Sequence, residues 1–126
     1  MRRQLLAALT TSAAFAGIMV GAPAASAEPD PPGCPKGYFC VYSGQHQTGQ
    51  LVMKTAGNWT GSAVGQSVFN NGYAYPGYDH VQFNWVYTSG TGGNSWCFHY
   101  NPGPDIYKNS WTYPINVKQV VWRGEC

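Results

Sequence analysis

Cys34, Cys40, Cys97 and Cys126 all lie downstream of a segment laid out like a cleavable export signal. An exported chain with an even cysteine count is ordinarily stapled by disulfides, and such staples restrict the chain to small, loop-rich folds. Cys34 and Cys40 enclose only Pro-Lys-Gly-Tyr-Phe, so the first staple is expected to be local. Four cysteines allow three pairings. Cys34–Cys40 with Cys97–Cys126 is favoured, because the first pair is close in sequence and the second pins the C-terminus. On the loop-entropy model these closures stabilise by about 2.4 and about 3.6 kcal/mol. A zinc site is the competing use of the four thiols. The C-x-x-C spacing it needs is absent and oxidising export favours disulfides, so no metal is expected.

The export signal is read from three features. Arg2 and Arg3 give a positive start, Leu5 to Val20 is mostly apolar, and Ala25-Ser26-Ala27 offers small residues to a signal peptidase. The apolar stretch is too short and too rich in Ala, Thr and Gly for a membrane span. Residues 1–27 are therefore read as a signal peptide, 28–33 as a disordered tail and 34–126 as one domain. The product is expected to be secreted and extracellular, and free of the membrane once the signal is cleaved.

Of seven Lys and Arg, Arg2 and Arg3 leave with the signal, so the remaining basic side chains equal the five acids and the mature chain is formally neutral. A neutral chain with scattered lysines has no electrostatic footprint for a phosphate backbone, which removes nucleic acid as a partner. About a hundred residues make a single domain of marginal size. Its core must be largely aromatic, since all nine Tyr, all five Trp and four of the five Phe lie beyond the signal.

No 3.6-residue apolar period runs over three turns, whereas period-two runs recur. Val81, Phe83, Trp85 and Tyr87 alternate with Gln82, Asn84 and Val86, the pattern of a strand with one aromatic face. Phe39–Tyr42, Leu51–Lys54, Trp96–Tyr100 and Val117–Trp122 are further strands, rich in β-branched and aromatic residues. Turn clusters separate them, among them Ser43-Gly44, Asn70-Asn71-Gly72, Pro76-Gly77 and Asn101-Pro102-Gly103-Pro104. The expected fold is all-β, a compact Greek-key β-sandwich stabilised by two disulfides. A weak echo between Cys40-Val41-Tyr42-Ser43-Gly44 and Cys97-Phe98-His99-Tyr100 to Gly103 suggests two similar halves. In each, an apolar strand follows, near Val68-Phe69 and near Ile115–Trp122.

The run Cys34-Pro35-Lys36-Gly37-Tyr38-Phe39-Cys40-Val41-Tyr42-Ser43-Gly44, then Thr48-Gly49, resembles the opening of peptidase inhibitor family thirty-six. These are the Streptomyces-type metalloproteinase inhibitors, small exported actinobacterial proteins with a βγ-crystallin-like fold. Gly65 to Asn71 is similar to the segment in which that fold ties down a folded hairpin with a serine, here Ser67. The resemblance is dense over 34–72 and thin over 73–126. It implies a secreted metallopeptidase as partner and no cofactor. Inhibition in the family is associated with a disulfide-held segment where a cysteine precedes an apolar residue. The matching positions are Cys97, Phe98, His99 and Tyr100, although no second cysteine closes a short loop there. Two further departures stand out. Gln47 replaces the aromatic of the family's aromatic-x-Gly corner, and Ser62 to Ser67 lacks the acids of a crystallin-type calcium motif.

Catalytic groups are scarce. Only Asp79 and Asp105 lie inside the fold as a carboxylate pair, and Ser67, His99 and Asp105 lack any nucleophile-elbow signature. His46, His80 and His99 show no metal-ligand spacing. No enzyme is expected. Two functions remain. As an inhibitor, the domain would present a rigid loop with an apolar side chain, Phe98, just after the presented bond; the plain alternative is that Phe98 is a core residue of a strand. As a carbohydrate or cell-wall binding module without inhibitory activity, it would use Tyr73, Tyr75 and Tyr78 beside Pro76-Gly77 as stacking rings; the plain alternative is that they cover a small core.

Overall fold

The computed structural model describes residues 17, 18, 21 and 26–126, so the expected signal peptide at 1–27 lies almost wholly outside the described residues. Among the described residues six strands form: β1 (Tyr38–Tyr42), β2 (Leu51–Thr55), β3 (Trp59–Asn71), β4 (His80–Tyr87), β5 (Gly93–Phe98) and β6 (Lys108–Arg123). A short 3₁₀ turn, Gln45–Gln47, joins β1 to β2. Every pairing is antiparallel, in the order β2-β1-β3-β6-β4-β5. The all-β expectation is met, and among the described residues no helix is long and apolar enough to cross a membrane.

The strand order reads the same from either edge. A hairpin, β1/β2, has β3 on its far side, and a second hairpin, β4/β5, has β6 on its far side, with β3 and β6 joining the halves. The expected two-part organisation is present, but the cysteine echo does not mark it. Cys40 sits on an inner strand and Cys97 on an edge strand, so the two cysteines are not equivalent positions. The equivalent pair is β3 and β6, the two long apolar strands.

This single sheet is folded over. β1 and β4 are separated by two strands, so in a flat sheet they would lie about 14 Å apart. The rings of Phe39 on β1 and Phe83 on β4 nevertheless meet at 5.2 Å. Register breaks in the β3/β6 ladder supply the bend, since unpaired residues kink and twist a strand. Gly65 marks a close approach of two backbones. A Cβ there would stand 2.3 Å from the Tyr42 carbonyl oxygen, so the β1 backbone can cross only a glycine.

The enclosed core is aromatic at one end, where Phe83, Trp85, Phe98 and Trp111 are buried and Trp96 packs against them. Phe83–Phe98, Trp85–Trp111 and Trp96–Trp111 lie 4.8–5.3 Å apart. Each such pair adds about 1 kcal/mol beyond the area it buries. β1 is buried on both faces. Phe39 and Val41 face the main core, while Cys40 and Tyr42 join Cys34 in a second cluster.

That second cluster corrects the reading of 28–33 as a disordered tail. The segment covers the outer face of β1, where Tyr42, 1% exposed, donates its hydroxyl to Pro32 O at 2.7 Å. Further along, the Asn101 side chain brackets Glu28, accepting its N–H at 3.1 Å and donating to its carbonyl at 2.9 Å. The Glu28 carboxylate takes donors from Tyr107 at 2.8 Å and from Lys108 at 2.7 Å. Hydrogen bonds to distant side chains fasten this stretch, and hydrophobicity could not reveal them. Asn70 and Asn71 likewise end β3 instead of forming a turn. Both are 0% exposed, and Asn70 donates to the carbonyls of His99 at 2.9 Å and Asp79 at 3.1 Å.

Candidate functional site

Both expected disulfides form, Cys34–Cys40 and Cys97–Cys126. The second crosses β4, tying edge strand β5 to the chain end beyond β6. Strand β5 stops at Phe98, earlier than the Trp96–Tyr100 expected. In the β4/β5 ladder Phe98 stands opposite Val81, and opposed residues share a face, so both turn inward. Phe98 is 2% exposed and lies edge-on to Phe83. The structure therefore places Phe98 in the core, and its ring is not offered to a partner.

His99 and Tyr100 follow. His99 is buried, donates Nδ1–H to Tyr100 O at 2.7 Å, and carries the Tyr100 ring stacked at 4.1 Å. Its other side meets His80 edge-on at 4.6 Å. His80 in turn has Nδ1 2.7 Å from Asp79 Oδ1 and Nε2 3.4 Å from Glu125 Oε2. This chain of groups holds the C-terminal segment beside the Cys97–Cys126 bridge. Among the described residues no three His, Cys, Asp or Glu side chains are grouped to bind a metal ion. Ser67 is committed as well. Its hydroxyl donates to Gly44 O at 2.7 Å and accepts Gln47 N–H at 2.9 Å, pinning the folded turn as the resemblance implied. Gln47 reaches back to donate its side-chain amide to Val68 O at 3.2 Å and so fastens the same turn to β3.

A presented stretch of backbone lies in β6, among residues with no expected site role. Between Gly65↔Ile115 and Ser67↔Ser110, Gln66 alone stands against Trp111-Thr112-Tyr113-Pro114, so β6 throws out a corner. The corner is braced on every side. Gln66 Nε2 donates to Thr112 O at 2.9 Å, Gln45 Nε2 to Trp111 O at 3.0 Å, and Thr88 N–H to Pro114 O at 3.2 Å. The Trp111 side chain is the anchor, 6% exposed and stacked on Trp96. Tyr113 at the tip is 72% exposed. A groove lined by Tyr87, Thr88, Ser89 and Thr91 runs beside Tyr113 and Pro114. Val64 and Val86, both opposite Asn116 in their ladders and both exposed, extend the apolar surface. The available sequence signal was Pro114, since a proline inside a strand pattern marks an edge or a bulge.

Tyr73, Tyr75 and Tyr78 are on the β3–β4 loop, each 63–64% exposed, and so do not cover the core. Ser67 and His99 are thus tied into structural hydrogen bonds of a braced all-β scaffold. The sequence profile of peptidase inhibitor family I36 matches residues 27–111, well over half of the chain. The chain belongs to this family of peptidase inhibitors. No curated protein and no solved structure matches it.

Proposed function

We propose that this protein is a secreted inhibitor of metallopeptidases, processed after Ala27, that docks its Trp111–Pro114 corner in the cleft of the enzyme. Family membership supplies the inhibitory class. One observation carries the mechanism: Tyr113 is 72% exposed on a backbone whose neighbouring carbonyls at 111, 112 and 114 are already hydrogen-bonded. A loop fixed in its bound shape loses little ordering entropy on docking, and this saving separates tight inhibitors from weak ligands of equal area. Metallopeptidases of the thermolysin type accept an apolar side chain just after the bond they attack, and Tyr113 follows Thr112 in that position. Pro114, next along, has no N–H to offer and a fixed φ, which opposes productive seating of the bond. Cys97, Phe98, His99 and Tyr100 then act behind the contact. The Cys97 bridge fixes β5, whose Trp96 stacks on Trp111 at 5.3 Å. With Val64, Val86 and the Thr88–Thr91 turn, the surface suits a standard interface of about 1,600 Å² in total.

Titration of residual activity against a panel of metallo-, serine and cysteine peptidases tests this reading. Stoichiometric inhibition of a metallopeptidase is expected, weakened about 30-fold or more in Tyr113→Ala, as for a central hot spot. The melting temperature should not move, because the replaced ring is in solvent. Activity against only serine or cysteine peptidases would remove the metallopeptidase assignment. Full inhibition by Tyr113→Ala would remove the corner.

A further inference from the structure

We infer that the loop between β3 and β4 builds a second, separate binding site, a groove for a neutral polysaccharide. Tyr75 to Tyr78 form a tight turn with Pro76 and Gly77 at its centre. Tyr78 N–H donates to Tyr75 O at 2.9 Å, and Gly77 takes φ +92°, which the Pro-Gly pair is suited to supply. Asp79, 6% exposed, fixes the turn from below by accepting Tyr75 N–H on Oδ2 at 3.0 Å. The Tyr75 and Tyr78 rings face each other at 6.0 Å and 27°. Tyr73 lies against the backbone at Gly37, where a Cβ would stand 3.0 Å from its ring. These rings are held out by the backbone; they are not merely left over at the surface.

A groove of ≈ 590 Å³ runs between them and the β2–β3 loop. Trp122 lines it, its ring pressed on Gly72, where a Cβ would come within 2.8 Å. Opposite, Ala56 and Gly57 leave the wall low. Asn58 accepts Trp122 N–H on its side-chain oxygen at 2.8 Å, and its NH₂ end makes no hydrogen bond within the described residues. Among the described residues no Lys, Arg, Asp or Glu lines the groove. Four rings, an amide donor and no charge define the ligand class. The negative face of an aromatic ring attracts the C–H face of a pyranose, and amide and phenol groups take its hydroxyls. A nucleic acid strand would stack on the same rings but needs cations that the groove lacks.

The site is remote in sequence from the Tyr113 corner, and its test is separable from the inhibitor reading. The oxidised protein is incubated with insoluble chitin and with insoluble cellulose, and is run through native gels containing a soluble neutral β-glucan. Retention on at least one of the three is expected. In Tyr75→Ala/Tyr78→Ala it should fall about tenfold or more, by the measured worth of aromatic pairs. Tyr113→Ala should retain fully. A melting temperature within a few degrees of the parent shows that the double variant is folded; if it is not, Asn58→Leu at the exposed wall supplies the same comparison. Absence of retention on all three glycans overturns the proposal, as does retention unchanged in the variants. Loss of peptidase inhibition in the double variant without any glycan retention would assign the groove to a protein partner and overturn it too.

Discussion

Glu28 shows how much one side chain organises. Burial pushes its carboxyl up, but hydrogen bonds from Lys108 and Tyr107 outweigh that and hold it below its ordinary 4.5. A lowered carboxyl stabilises the fold fully above its unfolded value, and the contribution fades as pH falls through the folded one. Tyr42 and Tyr107 act at the other end. Burial pushes both up to about 12, and for Tyr107 the Glu28 carboxylate adds to the shift. Raised phenols contribute fully below pH 10 and lose that contribution as pH rises towards 12. On account of these groups the urea midpoint should fall below 4.5 and fall again above 10. Glu28→Gln should flatten the acid limb by about 0.5 kcal/mol, a figure proper to a partly exposed ion pair. An acid limb identical to that of the parent would show that the N-terminal segment is not docked in solution. These contacts were not legible beforehand, because Glu28 and its partners Asn101, Tyr107 and Lys108 lie more than seventy residues apart.

Among the elements, legibility followed the regularity of the pleat. β4, which alternates, and β1 and β2, which are rich in β-branched and aromatic residues, match their expected bounds to within a residue or so. β3 and β6 were largely missed over their first halves, since Gly61, Gly65 and Pro114 break the period that identifies a strand. Those same interruptions bend the sheet and form the corner, so what obscured the strands is what shapes the candidate site. Gln66 links the two effects. Replacing it with Ala removes the donor to Thr112 O and leaves that carbonyl of the corner short of a partner, while Trp111 O keeps its bond from Gln45. Gln66→Ala should lower stability by about 1 kcal/mol. It should also weaken peptidase inhibition by a larger factor than that loss explains, since Tyr113 itself is intact. Equilibrium unfolding and inhibition titration on the same preparation separate the two. Unchanged inhibition would mean that the corner needs no bracing.

On the scale of the molecule, the two halves share one core. Phe83 is the common member, in contact with Phe39 from the first half and with Trp96, Phe98 and Trp111 from the second. Phe83→Ala should cost about 3–5 kcal/mol, most of the stability of a domain this small. Thermal unfolding followed by tryptophan fluorescence and by far-ultraviolet circular dichroism should fall together in a single transition. Separate transitions would show that the halves are independent units.

The amino-acid order alone determined an all-β, disulfide-stapled, nearly uncharged scaffold and its inhibitor family, because alternation, cysteine spacing and the Cys34–Gly44 motif are local properties. Only the tertiary structure decided which side chains meet a partner. Phe98 and Tyr113 are both aromatic residues on β strands, and Pro114 beside Tyr113 marks a bulge without telling which side chain it turns outward. The β4/β5 register turns Phe98 inward opposite Val81, while the β6 corner carries Tyr113 out into solvent. Register and bulges are set by pairing between distant segments, and one residue of slip reverses every side chain on a strand.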